Sequence, residues 1–162
     1  MGETSLKVKK TTSNHIKFVN ALLNDIEALE MMITANLFES DNIRIGAEQE
    51  VCIVNEDFKP ADNAIDLLDK INHPQFTTEL AKYNIEINLL PQLLQPGCFA
   101  AMENDLLDKF HLAANLAATN NTKLVLAGIL PTISRNEISL EYLTPLERYH
   151  MLSKKLRDIR GR

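Results

Sequence analysis

The chain contains no tryptophan and only two cysteines among its 162 residues. Cys52 and Cys98 stand far apart and in no metal-ligand spacing, which argues against a zinc site and a disulfide framework. A reducing cytoplasm is the expected compartment, with Cys52 an inert packed thiol. The histidines, His15, His73, His111 and His150, form no HxxH or HxxxH pair. No apolar run reaches the ~18 residues of a membrane span. The opening Met-Gly-Glu-Thr-Ser has no apolar signal-peptide core. Positive charge is scarce as well: the net charge is −5 and the pI about 5.4, which argues against a nucleic-acid surface. Lys154, Lys155, Arg157, Arg160 and Arg162 cluster where a helix end would favour cations. Neither GxxxxGK[ST] nor GxGxxG occurs, so a nucleotide would need a different architecture. The expected partners therefore include no nucleic acid and no membrane.

What is present suffices for a core. Hydrophobic residues make up 45% and charged residues 24%, an ordinary globular balance. A flexible N-terminus over 1–12 is expected to precede a single α+β domain over 13–162. Ile16, Val19, Leu22, Leu23, Ile26, Leu29, Met32 and Ile33 step by threes and fours, which predicts a helix from about Ser13 to Asn36, capped by Ser13 or Asn14. Met31 and Met32 read as core filler. A strand is expected from Ile43 to Val54, then a turn at Asn55-Glu56-Asp57 and a short helix capped by Asp62 and closed by Pro74. In the segment Phe76–Leu90, Tyr83, Ile85, Ile87 and Leu89 alternate with Asn84, Glu86 and Asn88, a strand pattern. A helix is expected from Cys98 to Asn121, and Lys123–Leu130 reads as a buried strand. Thr144-Pro145-Leu146-Glu147 reads as a capping box opening a last helix that runs to about Ile159 and stops at Gly161. A doubly wound fold would bury both sheet faces, yet two of the three strands are polar on one face. The expected architecture is a mostly antiparallel or mixed sheet with helices packed on one face.

Within the first strand, Glu48 and Glu50 share one face while Ile45, Ala47, Val51 and Ile53 face the core. Adjacent acids on one face repel each other, and a bound cation is the simplest compensation. With the polar faces of the two strands together, Glu48, Glu50, Asn84, Glu86 and Asn88 form an oxygen-rich patch. Mg²⁺ and Mn²⁺ prefer such hard ligands, and Mg²⁺ adds waters and substrate phosphates. A solvated polar sheet face is the plain alternative. A glycosidase-like acid pair is a third reading, but no aromatic platform accompanies it.

At these residues the sequence resembles the glutamate–cysteine ligase family, in the broad sense that includes carboxylate–amine ligases. The similarity rests on Gly46-x-Glu48-x-Glu50, on Thr77-Thr78-Glu79 followed by Glu86, Ile87 and Pro91, on Ala127-Gly128-Ile129-Leu130-Pro131, and on Arg148-Tyr149. It covers about residues 43–150. The resemblance implies part of a glutamine-synthetase-like catalytic domain, whose antiparallel sheet binds Mg²⁺ or Mn²⁺ on its inner face and holds ATP through the ions. By matched position it implies Glu48, Glu50, Glu79 and Glu86 as metal ligands. Asn84 and Asn88 are the implied ligand contacts or braces, and Arg148 the group that binds a substrate carboxylate. The implied reaction phosphorylates the γ-carboxylate of glutamate or a similar acid, and an amine such as cysteine displaces the phosphate. An acid-rich cradle suits it, because phosphoryl transfer needs positioning and charge neutralisation above all. The odd spacing of Glu79 and Glu86 requires a bend or bulge if both lie on one strand. Family members are longer, with further ligands on later strands, so the chain is expected to be the N-terminal part of a longer ligase domain. The rival expectation is a non-catalytic domain that binds metal or associates, with a homo-oligomer forming through an open sheet edge.

Overall fold

The computed structural model describes residues 12–161. The flexible N-terminus expected over 1–12 lies, apart from Thr12, outside the described residues. The chain divides into two compact units, Met1–Ile43 and Arg44–Arg162, where one domain over 13–162 was expected. In the first unit, α1 (Thr12–Thr34) follows the predicted periodicity, and Ser13 and Asn14 lie inside it rather than before it. Its apolar residues are exposed, and Met31 and Met32 are not core filler: Met31 is 67% accessible.

The second unit has α+β architecture. In chain order it comprises β1 (Arg44–Ile45), β2 (Glu48–Val54), α2 (Ala64–Ile71), β3 (Phe76–Thr78), β4 (Asn84–Asn88), β5 (Gln92–Leu93), α3 (Cys98–Ala118), β6 (Lys123–Val125) and α4 (Glu147–Arg160), with a 3₁₀ turn at Leu140–Tyr142 before α4. The main sheet is antiparallel throughout, in the order β3-β4-β2-β6. Alternation sends Val51, Ile53, Ile85, Ile87 and Phe76 to one face. There they pack against Ala64, Leu67 and Ile71 of α2 and Met102, Ala113 and Ala117 of α3. Leu67, Val51, Ile53, Ile85 and Ile87 lose all access to water, the main source of stability for the unit.

Local differences from the sequence expectations have local causes. The strand expected over Ile43–Val54 is interrupted at Gly46-Ala47, because β1 leaves the main sheet to pair with β5. The segment Phe76–Leu90 is two antiparallel strands, not one: Thr77 of β3 stands opposite Glu86 of β4. β6 stops at Val125 because it is an edge strand pairing only with Cys52–Val54; beyond it Leu126 is exposed and Ile129 is 84% accessible. Asp62 does not cap α2. Asn63 holds that position without a side-chain cap bond, and the Ala64 N–H donates to the Lys82 carbonyl at 3.0 Å. Thr144 does not cap α4 either. Its hydroxyl donates to the Glu79 carbonyl at 2.5 Å, so α4 begins at Glu147 with Leu146 before it. The Asn55 turn forms as an Asx turn, with Oδ1 accepting from the N–H groups of Asp57 and Lys59 at 3.0 Å. Gly161, at φ +69°, terminates α4 as expected. Among the described residues no helix is long and apolar enough to cross a membrane.

Candidate metal and substrate site

The polar sheet face lies opposite α2 and α3. The β2–β4 register places Glu48 opposite Asn88, Glu50 opposite Glu86, and Cys52 opposite Asn84. With Thr77 opposite Glu86, one row across three strands reads Thr77, Glu86, Glu50. Directly opposed carboxylates repel by up to about 1 kcal/mol, so Glu50 and Glu86 form a locally unfavourable pair. The patch expected from Glu48, Glu50, Asn84, Glu86 and Asn88 therefore shares one face.

Glu86 is held in place. Thr77 Oγ1 donates to Glu86 Oε1 at 3.1 Å, and Asn88 Nδ2 donates to the same oxygen at 2.7 Å. Asn88 Nδ2 also approaches Thr77 Oγ1 at 3.2 Å, which closes a triangle around that oxygen. Asn88 is thus a brace for the acid. Its own backbone is anchored to Gln75, whose carbonyl accepts the Asn88 N–H at 2.7 Å and whose amide donates to the Asn88 carbonyl at 2.8 Å. Asn84 differs: its Oδ1 is buried and has no hydrogen-bond partner.

Glu79 follows β3 and reaches the same face without the bulge a single strand would have required, because the chain turns back between it and Glu86. Partial burial holds its carboxyl above the ordinary carboxylate range. The Leu80 N–H, donating to Oε2 at 3.0 Å, opposes this; a hydrogen bond shared with Glu86 and the charges of Glu50 and Glu86 reinforce it. Glu50, Glu79 and Glu86 therefore act on one another. Glu48 is exposed at the start of β2. Cys52 is buried, and burial, with the Glu50 charge, pushes its thiol up, as befits an inert packed cysteine.

The start of α4 is tied to the Glu79 end of β3. Besides the Thr144 hydroxyl bond, the Thr144 N–H donates to the Leu80 carbonyl at 2.9 Å, and the Tyr149 hydroxyl approaches the Thr78 carbonyl at 3.4 Å. Arg148 lies over the Tyr149 ring, 4.5 Å from its centroid, and its Nη2 donates to the Tyr149 hydroxyl at 2.5 Å. Its Nε is buried without a partner. Thr77, Thr144 and Tyr149 are the supporting residues that periodicity alone did not single out. Thr77 had a signal in its place beside Glu79, whereas Thr144 was disguised as a helix cap.

The donor set is hard oxygen, which suits Mg²⁺ or Mn²⁺ better than softer metals. Among the described residues no group of three His, Cys, Asp or Glu side chains forms a ready metal cage. Mg²⁺ is held by one or two carboxylates with waters and phosphates rather than by an all-protein cage. The hydrogen bond between Glu79 and Glu86 marks where a dication would neutralise the acids. Comparison with family models, curated proteins and solved structures found no match to this chain.

Proposed function

We propose that the polar sheet face of this chain is part of the site of an ATP- and Mg²⁺-dependent carboxylate–amine ligase, acting on the γ-carboxylate of glutamate or a similar acid. The observation that carries the reading is the mutual influence of Glu50, Glu79 and Glu86 on one face of an antiparallel sheet. Three carboxyls so placed favour a divalent cation over being left alone. Glu86, with Glu50 or Glu79, would hold Mg²⁺ together with waters and phosphates, and Glu48 stands in the neighbouring row opposite Asn88. The ion, when bound, neutralises phosphate charge. Thr77 and Asn88 keep Glu86 aimed at the site. Arg148, with a buried Nε lacking a partner, binds the carboxylate of the acid substrate. The unpartnered Asn84 Oδ1 accepts a hydrogen bond from ligand or ordered water.

The test follows ADP release by the full-length protein with glutamate, a panel of amines including cysteine, and Mg²⁺ or Mn²⁺. Metal-dependent turnover with one amine is expected. Metal binding without turnover for any amine would replace the ligase with a non-catalytic metal-binding domain, and absence of both would remove the site altogether.

A further inference from the structure

The loop that carries Glu79 from β3 to β4 is clasped by the residues just before α4. The Lys82 N–H donates to the Tyr142 carbonyl at 2.8 Å, and the Thr144 N–H donates to the Leu80 carbonyl at 2.9 Å. These two bonds flank an antiparallel bridge between Ala81 and Leu143. The register of that bridge brings Thr144 alongside Glu79 and Leu80. At 1% accessibility its short, β-branched side chain has little freedom to turn elsewhere. Its hydroxyl donates to the Glu79 carbonyl at 2.5 Å. That carbonyl belongs to the same peptide unit as the Leu80 N–H. A peptide unit is planar, so fixing its oxygen fixes the direction of its hydrogen. The Leu80 N–H in turn donates to Glu79 Oε2 at 3.0 Å. A donor on the carbonyl oxygen also polarises the amide and strengthens the bond its N–H gives. The contacts thus run from the Thr144 hydroxyl through one peptide unit to the carboxylate.

We infer that Thr144 is a positioning residue for Glu79: through the Glu79–Leu80 peptide it holds the carboxylate toward Glu86, against the repulsion of the neighbouring acids. Held there, the carboxyl shares a hydrogen bond with Glu86 and feels the charges of Glu50 and Glu86. Released from a fixed amide, a glutamate side chain turns about its χ angles, and like charge drives it away from the other two acids. Thr144 therefore acts on the acid face from a distance of one peptide unit, without a polar group of its own on that face.

Two measurements on the full chain test it. The first, calorimetric titration with Mn²⁺, rests on the proposed role of Glu79 as an ion ligand. Thr144→Val binds Mn²⁺ about tenfold more weakly than the natural protein. Thr144→Ser keeps the hydroxyl and stays within about threefold of it. Leu67→Ala weakens the core, yet while circular dichroism shows it folded it keeps the natural affinity, which separates aim from mere stability. The second measurement needs no metal: urea midpoints at pH 7 for Glu79→Gln, Thr144→Val and the double variant. Glu79→Gln keeps an oxygen for the Leu80 N–H but carries no charge, so it raises the midpoint of the natural protein. In the Thr144→Val background the carboxylate has already swung away, and the same substitution leaves the midpoint unchanged. Unaltered affinity in Thr144→Val overturns the inference. So do a loss that Thr144→Ser does not restore, an equal loss in Leu67→Ala, and equal gains from Glu79→Gln in both backgrounds. A natural protein that binds no Mn²⁺ removes the metal reading, and the urea cycle then decides the role of Thr144 by itself.

Discussion

Glu79 is the residue whose protonation most directly reports on the candidate site. Its folded-state pKa lies above the ordinary 4.5, chiefly through burial, so the folded protein binds its proton more tightly than the unfolded chain does. The stabilisation from that proton is fully present below the unfolded value and is lost as pH rises through the folded one. Denaturant midpoints measured from pH 4 to 8 should therefore fall with rising pH across the window just above 4.5, and Glu79→Gln should flatten that fall. At pH 7 the same substitution should stabilise the apoprotein by about 0.5 kcal/mol, by removing like-charge repulsion. Mg²⁺ should oppose this ordering: it stabilises the natural protein near neutrality and does so less in Glu79→Gln. Glu86→Gln should weaken Mn²⁺ binding by about tenfold or more, as read by calorimetry: the amide keeps the oxygen that accepts from Thr77 and Asn88 but loses the charge and turns an NH₂ group, a donor, toward the ion. The acids were legible in the sequence because strand parity decides which side chains share a face. Glu79 was reached through the family resemblance and not through parity, which holds only within one strand, because the chain reverses direction between Glu79 and Glu86.

At the scale of elements, the long helices were readable and the short edges were not. α1 and α3 follow the threes-and-fours rule over many turns, and in α3 that pattern matches the face packed into the core, whereas the apolar residues of α1 are exposed. β6 shared its apolar composition with a buried strand, but composition cannot say that only Cys52–Val54 would be available as partners. The start of α4 teaches a similar lesson. Thr144-Pro145-Leu146-Glu147 has the residues of a capping box, yet the Thr144 hydroxyl is drawn to the Glu79 carbonyl, a partner 65 positions away that local sequence does not reveal. Thr144 is 1% accessible, so Thr144→Val should cost about 1–2 kcal/mol in urea unfolding by leaving that carbonyl without its donor. Because the lost bond joins α4 to β3, amide exchange should quicken in the first turn of α4 and at Leu80, whereas α2 and α3 should be unaffected.

At the scale of the molecule, the principal core cluster belongs wholly to residues within Arg44–Arg162. A fragment of residues 44–162 should therefore retain cooperative thermal unfolding, and its circular dichroism should differ from that of the whole chain mainly by the helical signal of α1. Core truncation within it should be severe: Leu67→Ala should cost about 2–4 kcal/mol, since Leu67 has no exposed surface and sits between α2 and the sheet. The α+β class and the covered and uncovered sheet faces were legible because both depend on residue alternation. The division after Ile43 was not, since no Pro-, Gly- or Ser-rich stretch marks it.

β2 has one further consequence. β6 pairs only with Cys52–Val54, so among the described residues no strand lies on that side of Glu48–Val51, and the Glu50 carbonyl there accepts the side-chain amide of its neighbour Gln49 at 2.7 Å. An open stretch leading into Val51-Cys52-Ile53-Val54 has the makings of an amyloid template. Glu48 and Glu50 put a negative charge on every second residue of that stretch, which makes them gatekeepers against misassembly as well as members of the acid face. Glu48→Gln with Glu50→Gln should shorten the lag before thioflavin-T-positive fibrils appear at neutral pH. Selection for solubility alone would then keep these two acids in place, independently of any cation.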